Sequence, residues 1–69
     1  MDMTNVDSSN VESIGYDENS LTLQVEFKNG GVYQYFDVPE ELFIGLRDAD
    51  SVGRYLNANI KGNYRYSKV

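Results

Sequence analysis

The chain has 69 residues, 41% of them hydrophobic and 13% aromatic, and a formal net charge of -5. A chain this short makes one small domain, which buries a lower share of its surface than a larger protein does. It contains no histidine and no cysteine, which excludes a disulfide framework, the usual tetrahedral zinc ligand sets and histidine-dependent nucleophiles.

No apolar run approaches the roughly 20 residues that span a bilayer. The first residues, MDMTNVDSSNVE, are acidic and polar, unlike the basic start and apolar stretch of a secretory signal. The expectation is a soluble, cytoplasmic protein, monomeric, with no membrane partner, no cofactor and no metal.

In chain order, residues 1–9 have little apolar content and no period. They are expected as a flexible tail, with the folded domain over 10–69. NVESIGYD follows as a strand, with Ile14 and Tyr16 on one face and Val11, Ser13 and Gly15 on the other. Asp17 to Ser20 are turn formers. In LTLQVEFK, Leu21, Leu23, Val25 and Phe27 alternate with Thr22, Gln24, Glu26 and Lys28. That period of two places one row on a core and the other in solvent. Asn29-Gly30 suits a type I′ turn, and VYQYFD returns as the next strand. Tyr33 and Tyr35 share one face of it, while Val32, Gln34 and Phe36 share the other. Because a buried Gln34 would need partners, the tyrosine row is placed against Leu23 and Val25. Phe36 is then expected to pack under the first helix.

Asp37, Pro39 and Glu40 read as a helix start, with Asp37 as cap and Glu40 answering it. PEELFIGLRDA puts Leu42, Phe43, Leu46 and Ala49 on one apolar face. Gly45 inside that helix costs about 1 kcal/mol of propensity relative to alanine, which suggests close packing there. Asp50 or Ser51 caps a second helix, VGRYLNANI, whose buried stripe is Val52, Leu56 and Ile60. Gly62 is its stop. NYRYSKV remains as a short fourth strand or an ordered tail. The expected fold is α+β: a three-stranded antiparallel meander followed by two helices packed on one face, with a short C-terminal strand available.

The carboxylate pairs Asp17-Glu18 and Glu40-Glu41 fall in a turn and in a first helical turn, where acids serve structure. Ser51 has a role as a cap. A catalytic site is therefore not expected. The Gly30-Gly31 pair has no lysine-serine pair after it to open a phosphate-binding helix. At the second helix start, SVGR has free N–H groups near Arg54, but a cap by Ser51 or Asp50 accounts for them more simply.

Charge is unevenly distributed. Residues 1–50 hold all 11 acidic residues and only Lys28 and Arg47, a net of -9, whereas residues 51–69 hold Arg54, Lys61, Arg65 and Lys68 and no acid, a net of +4. Nucleic-acid backbones need clustered lysine and arginine, and unpaired bases stack on aromatic rings. Arg54, Tyr55, Asn57, Lys61, Tyr64, Arg65, Tyr66 and Lys68 supply both within one segment. Arg54, Asn57 and Lys61 are expected to share an exposed helix face. The alternative partner is a protein, bound through a free sheet edge or exposed tyrosines. Tyr33 and Tyr35 are expected to be structural, and Tyr64 and Tyr66 to make the contact.

IGYD at 14–17, GGVYQY at 30–35, VP at 38–39 and ADSVGRYLNANIKGNY at 49–64 together resemble the KTSC domain family. That family takes its name from the C-terminus of some lysyl-tRNA synthetases and also occurs as small stand-alone proteins. The resemblance runs from about Val11 to Tyr66. Its most specific part is Ser51, Gly53, Tyr55 and Asn57 followed by Ile60-Lys61. What the resemblance implies about function is RNA as the suggested partner, from the synthetase context.

Overall fold

The computed structural model describes all 69 residues. Seven elements follow in order: β1 (Met3–Asn5), β2 (Val11–Asp17), β3 (Thr22–Phe27), β4 (Val32–Tyr35), α1 (Glu40–Asp48), α2 (Val52–Asn59) and β5 (Tyr66–Lys68). The strands form one antiparallel sheet in the order β1-β2-β3-β4-β5. The α+β architecture is the expected one, with two strands more than the three of the meander.

The helices cover one sheet face. The alternation in β3 buries Leu23 and Val25 completely, and the β3–β4 register sets Tyr35 opposite Leu23 and Tyr33 opposite Val25. Gln34 points to the other face, where its amide donates to Gln24 Oε1 over 2.8 Å. The core is closed by Val38, by Leu46 of α1, and by the stripe Val52, Leu56 and Ile60. Ser51 caps α2, its Oγ accepting from the Arg54 N–H over 3.3 Å.

The N-terminal residues depart from the expected loose tail. Met3, Thr4 and Asn5 pair with Gly15, Ile14 and Ser13, and Val6 packs against the core. Ser8 Oγ accepts from the N–H groups of Asn10 and Val11. Three residues are too few to display a period, and this edge strand takes its pairing from β2.

The β2 faces are also corrected. A bulge between Val11 and Ser13 shifts the register, so that Val11 pairs with Phe27 and Ile14 with Val25. The extra residue, Glu12, rephases the strand, and Val11 and Ile14 are both buried in the core. Ser13 stays on the opposite face and donates to Glu26 Oε1 over 3.0 Å.

The β3–β4 turn is not type I′, which needs two central residues at positive φ. Only Gly30 has one (95°). Gly30 N–H donates to the Phe27 carbonyl over 2.9 Å and Phe27 N–H donates to the Gly31 carbonyl over 2.8 Å. These bonds make a three-residue loop, a type I turn ending in a bulge glycine. Asn29 Oδ1 accepts from Gly31 N–H over 2.9 Å and holds the loop.

Asp37 does not cap α1. The N-cap is Pro39, without a side-chain cap bond. Asp37 instead sits at φ 60°, a left-handed conformation that aspartate tolerates better than most residues. It redirects the chain, and its carboxylate meets Arg65 Nη2 at 2.8 Å. Phe36 accordingly lies beside Arg65, 5.7 Å from ring centroid to guanidinium carbon, and is not part of the packing beneath α1.

Gly45 of α1 packs tightly against Tyr55 of α2. A Cβ there would run into the Tyr55 hydroxyl and lie 2.7 Å from its Cζ. Two effects oppose each other in Gly45→Ala: about 1 kcal/mol gained in helix propensity and an overpacking cost of about 1–3 kcal/mol. We expect a net loss in denaturant unfolding. The same substitution should become stabilising when Tyr55→Ala has removed the ring, because the cost belongs to that pair. If Gly45→Ala alone is stabilising by the full propensity gain, the helices are not held at this contact.

Tyr35 is 4% exposed, and Tyr35→Ala should cost about 3 kcal/mol or more. A change below about 0.5 kcal/mol is what a surface residue shows and would contradict its place in the core. Burial raises the Tyr35 phenol above its ordinary value of 10.0, and the neighbouring phenols of Tyr33 and Tyr66 raise it further. A raised folded-state value means that the stabilisation is complete below pH 10 and falls as pH climbs through the folded-state pKa. Thermal melts from pH 8 to 11 should show this alkaline loss, and Tyr35→Phe should make it shallower. An unchanged profile in Tyr35→Phe would assign the loss to other groups.

Candidate functional site

Pairing of β5 with β4 brings Tyr66 to Tyr33 and Tyr35. Tyr66 lies opposite Tyr35, Ser67 opposite Gln34, and Lys68 opposite Tyr33. The ladder is extended at both ends, by Phe36 N–H to the Arg65 carbonyl (2.9 Å) and by Val69 N–H to the Val32 carbonyl (2.8 Å). Residues opposite each other share a face, so Tyr66 and Lys68 stand on the helix side of the sheet.

The rings form one cluster. Tyr66 is 5.8 Å from Tyr35 and 5.9 Å from Tyr33, centroid to centroid, with tilts of 39° and 47°. Phe27 meets Tyr33 edge-on at 5.6 Å. Exposure is graded across the cluster: Tyr35 is buried, Phe27 and Tyr33 are half-buried, and Tyr66 is 63% exposed. The helices cover its inner end and leave Tyr66 open to solvent.

Lys61 completes this group through the way α2 ends. Ile60 and Lys61 N–H groups both donate to the Leu56 carbonyl, and Asn63 N–H donates to the Ile60 carbonyl. Gly62 takes φ 84° and reverses the chain. Lys61 therefore leaves the helix and its ammonium sits 5.1 Å from the Phe27 ring centroid. At an exposed position such a contact is worth about 0.5–1 kcal/mol. It also means that Lys61 does not continue a helix face with Arg54 and Asn57, as its spacing suggested.

Between the rings and Lys61 lies an open groove of about 510 Å³, bordered also by Asn29 and Gly62. No acidic side chain lines it. A ring with a free face, cations beside it and no competing carboxylate can stack a flat ligand and hold an anionic group attached to it.

The structure divides the eight candidate residues. Lys61 and Tyr66 line the groove, and Lys68 stands beside it, opposite Tyr33. Tyr55 packs against Gly45, and Tyr64 is half-buried against the core. Arg65 is turned away and pairs with Asp37, both side chains well exposed at 77% and 71%. Arg54 and Asn57 are exposed on α2 and line no part of the groove. Phe27, Asn29, Tyr33 and Tyr35 belong to the groove and were assigned only structural places from sequence. The one signal for them was the β3–β4 alternation, which sets Phe27 and Tyr33 on the same face.

A separate hollow of about 430 Å³, around Tyr16, has the opposite character. It is bordered by Asp2, Asp17, Glu18 and Glu40 around the rings of Tyr16 and Phe43, which stack at 5.3 Å with 15° between planes. Tyr16 donates its hydroxyl to the Val38 carbonyl. Burial raises the Tyr16 phenol pKa, and the charges of Glu40, Glu18 and Asp17 add to that. The acidic hollow and the lysine-bearing groove have no residue in common. No group of three or more acidic side chains is placed to hold a metal ion, and no helix is long and apolar enough to cross a membrane.

Comparison with known proteins places the fold and the sequence together. A solved KTSC domain protein from Yersinia pestis superposes with a TM-score of 0.96 at 37% identity, covering 99% of this chain and 96% of its own. An uncharacterised protein of Stutzerimonas stutzeri is 43% identical over 90% of this chain and 89% of its own length. A lysine–tRNA ligase of Nostoc punctiforme is 33% identical over 91% of this chain, a match that takes up 11% of the ligase. The family model of the KTSC domain matches residues 7–64, and the chain belongs to the KTSC domain family.

Proposed function

We propose that this domain is a non-enzymatic module that binds single-stranded nucleic acid, RNA first, in the groove between Tyr66, Tyr33 and Lys61. The observation that carries the reading is the open Tyr66 ring. A large, exposed aromatic set against two other tyrosines, with lysines beside it and no carboxylate, matches what unpaired bases and their phosphates require. The lysine–tRNA ligases that carry a similar domain add an RNA context. The absence of histidine and cysteine and the structural placement of the acids support a binding role over catalysis.

Only Lys61 and Lys68 stand where they can reach the groove's ligand, so the electrostatic share of binding is small. For a single strand the salt slope is about -0.7 per neutralised phosphate, or about -1.4 for two. Stacking on Tyr66 then contributes about 1–3 kcal/mol per base. A protein strand added to the free edge of β5 is the competing occupant of this region, since main-chain pairing there needs no lysine.

Labelled single-stranded RNA and tRNA, titrated at low and moderate salt and followed by fluorescence anisotropy, test the reading. Tyr66→Ala should weaken binding by about 5- to 150-fold, the range that 1–3 kcal/mol of stacking corresponds to. Lys61→Glu with Lys68→Glu should abolish it, while Arg54→Glu has a smaller effect and Glu18→Lys does not weaken it. If no RNA binds at low salt, the nucleic-acid reading is wrong. If binding survives the lysine reversal, the groove is not the site.

A further inference from the structure

The groove does not end at Tyr33. A second hollow of about 310 Å³ begins on the loop side, bordered by Asn29, Gly30, Gly31, Tyr33, Lys68 and Val69. The two hollows share two residues, Tyr33 and Asn29. Tyr33 therefore borders both, and each hollow has its own lysine: Lys61 in the first and Lys68 in the second. Neither is lined by an acidic side chain.

The loop side of the second hollow is backbone. A Cβ on Gly30 would meet nothing within 4 Å, and one on Gly31 would lie 3.3 Å from Asn29 Oδ1 and 3.5 Å from Tyr33 Cε1. Gly31 thus leaves space beside the Tyr33 ring that a side chain would fill, and Gly30 leaves its side of the loop open. Asn29 stands at the junction of the two hollows. Its Oδ1 is committed to Gly31 N–H, which fixes the amide orientation and leaves the NH₂ group as a free donor.

Resting on the reading of the groove as a single-strand site, we propose that the two hollows hold two successive nucleotides. One base stacks on Tyr66 in the first hollow. The next lies on the far side of Tyr33 in the second. Lys61 and Lys68 each hold one phosphate, and the Asn29 NH₂ donates to an acceptor on a base edge at the junction. The occupant is unpaired, because stacking on these rings needs a free base face.

A length series tests this register. Uridine 5′-monophosphate and 5′-phosphorylated oligouridylates of two, three, four and six residues are titrated into the full chain at low salt. Binding is followed into the millimolar range by NMR shifts of the tyrosine ring protons. Affinity should rise about fivefold or more from one nucleotide to two, the gain expected from one further stacked base, and then stay within about threefold. Lys68→Ala, an exposed change whose fold is checked by circular dichroism, should remove the step, weakening the dinucleotide more than the mononucleotide. Lys68→Arg should retain the step. Tyr66→Ala should weaken every length. If binding occurs but the step falls at a longer length, or Lys68→Ala weakens one and two nucleotides equally, the two-nucleotide register is overturned and the groove remains a single-strand site. If no length binds, the groove reading and the register both fail.

Discussion

The pairing of β5 with β4 is the constraint on which the rest of the molecule depends. After β4 the chain leaves the sheet and makes both helices before it returns. That return sets Tyr66 beside Tyr35 and Lys68 beside Tyr33. Without it, β4 would be an edge strand with a half-covered aromatic row, and unpaired main-chain groups there would invite association with another chain. With it, the edge passes to a three-residue strand, and the aromatic row grades from core to solvent within one face. The same contacts that finish the core therefore build the groove.

This sharing has a mechanical consequence. Tyr35 is fixed by the helices on one side and by its strand pairing on the other. Tyr66 rests against it and against Tyr33. The exposed ring is thus held by rigid elements on its inner side, which lowers the entropy that the proposed binding would have to remove. A free terminal tyrosine would offer the same ring area with no such support.

Local signals made most of the scaffold legible. The alternation of Leu23, Val25 and Phe27 set one strand and its buried face, and Gln34 decided the orientation of β4. The four-residue repeat of Val52, Leu56 and Ile60, with Ser51 before it, marked α2 and its cap. What escaped depends on contacts distant in sequence. The bulge at Glu12 is visible only against the partner strand. β1 is a strand because β2 offers it an edge, and Asp37 lost its expected cap role to a turn and to Arg65, 28 residues away. The site was half legible for the same reason. The basic, tyrosine-containing tail stood out, but its partners Phe27, Tyr33 and Asn29 lie on a hairpin whose register with β5 no local pattern encodes.

Charge shows most clearly how sequence proximity misleads. Four cations cluster in the last 19 residues, yet the fold scatters them. Arg65 is compensated by Asp37, Arg54 stands on the outer helix, and only Lys61 and Lys68 reach the aromatic face. The acids are not uniformly spread either, and four of them border the Tyr16 hollow. For an anionic strand, the long-range field of a protein with net charge -5 is repulsive and reaches about 10 Å at 0.1 M salt. Local attraction from two lysines cannot overcome that by charge alone. The balance then rests on the rings. Raising the salt weakens the lysine contacts but also screens the repulsion, so the two effects partly cancel. A site of the proposed kind would be less salt-sensitive than its phosphate contacts alone imply, and the aromatic geometry, more than the basic tail, would set what it held.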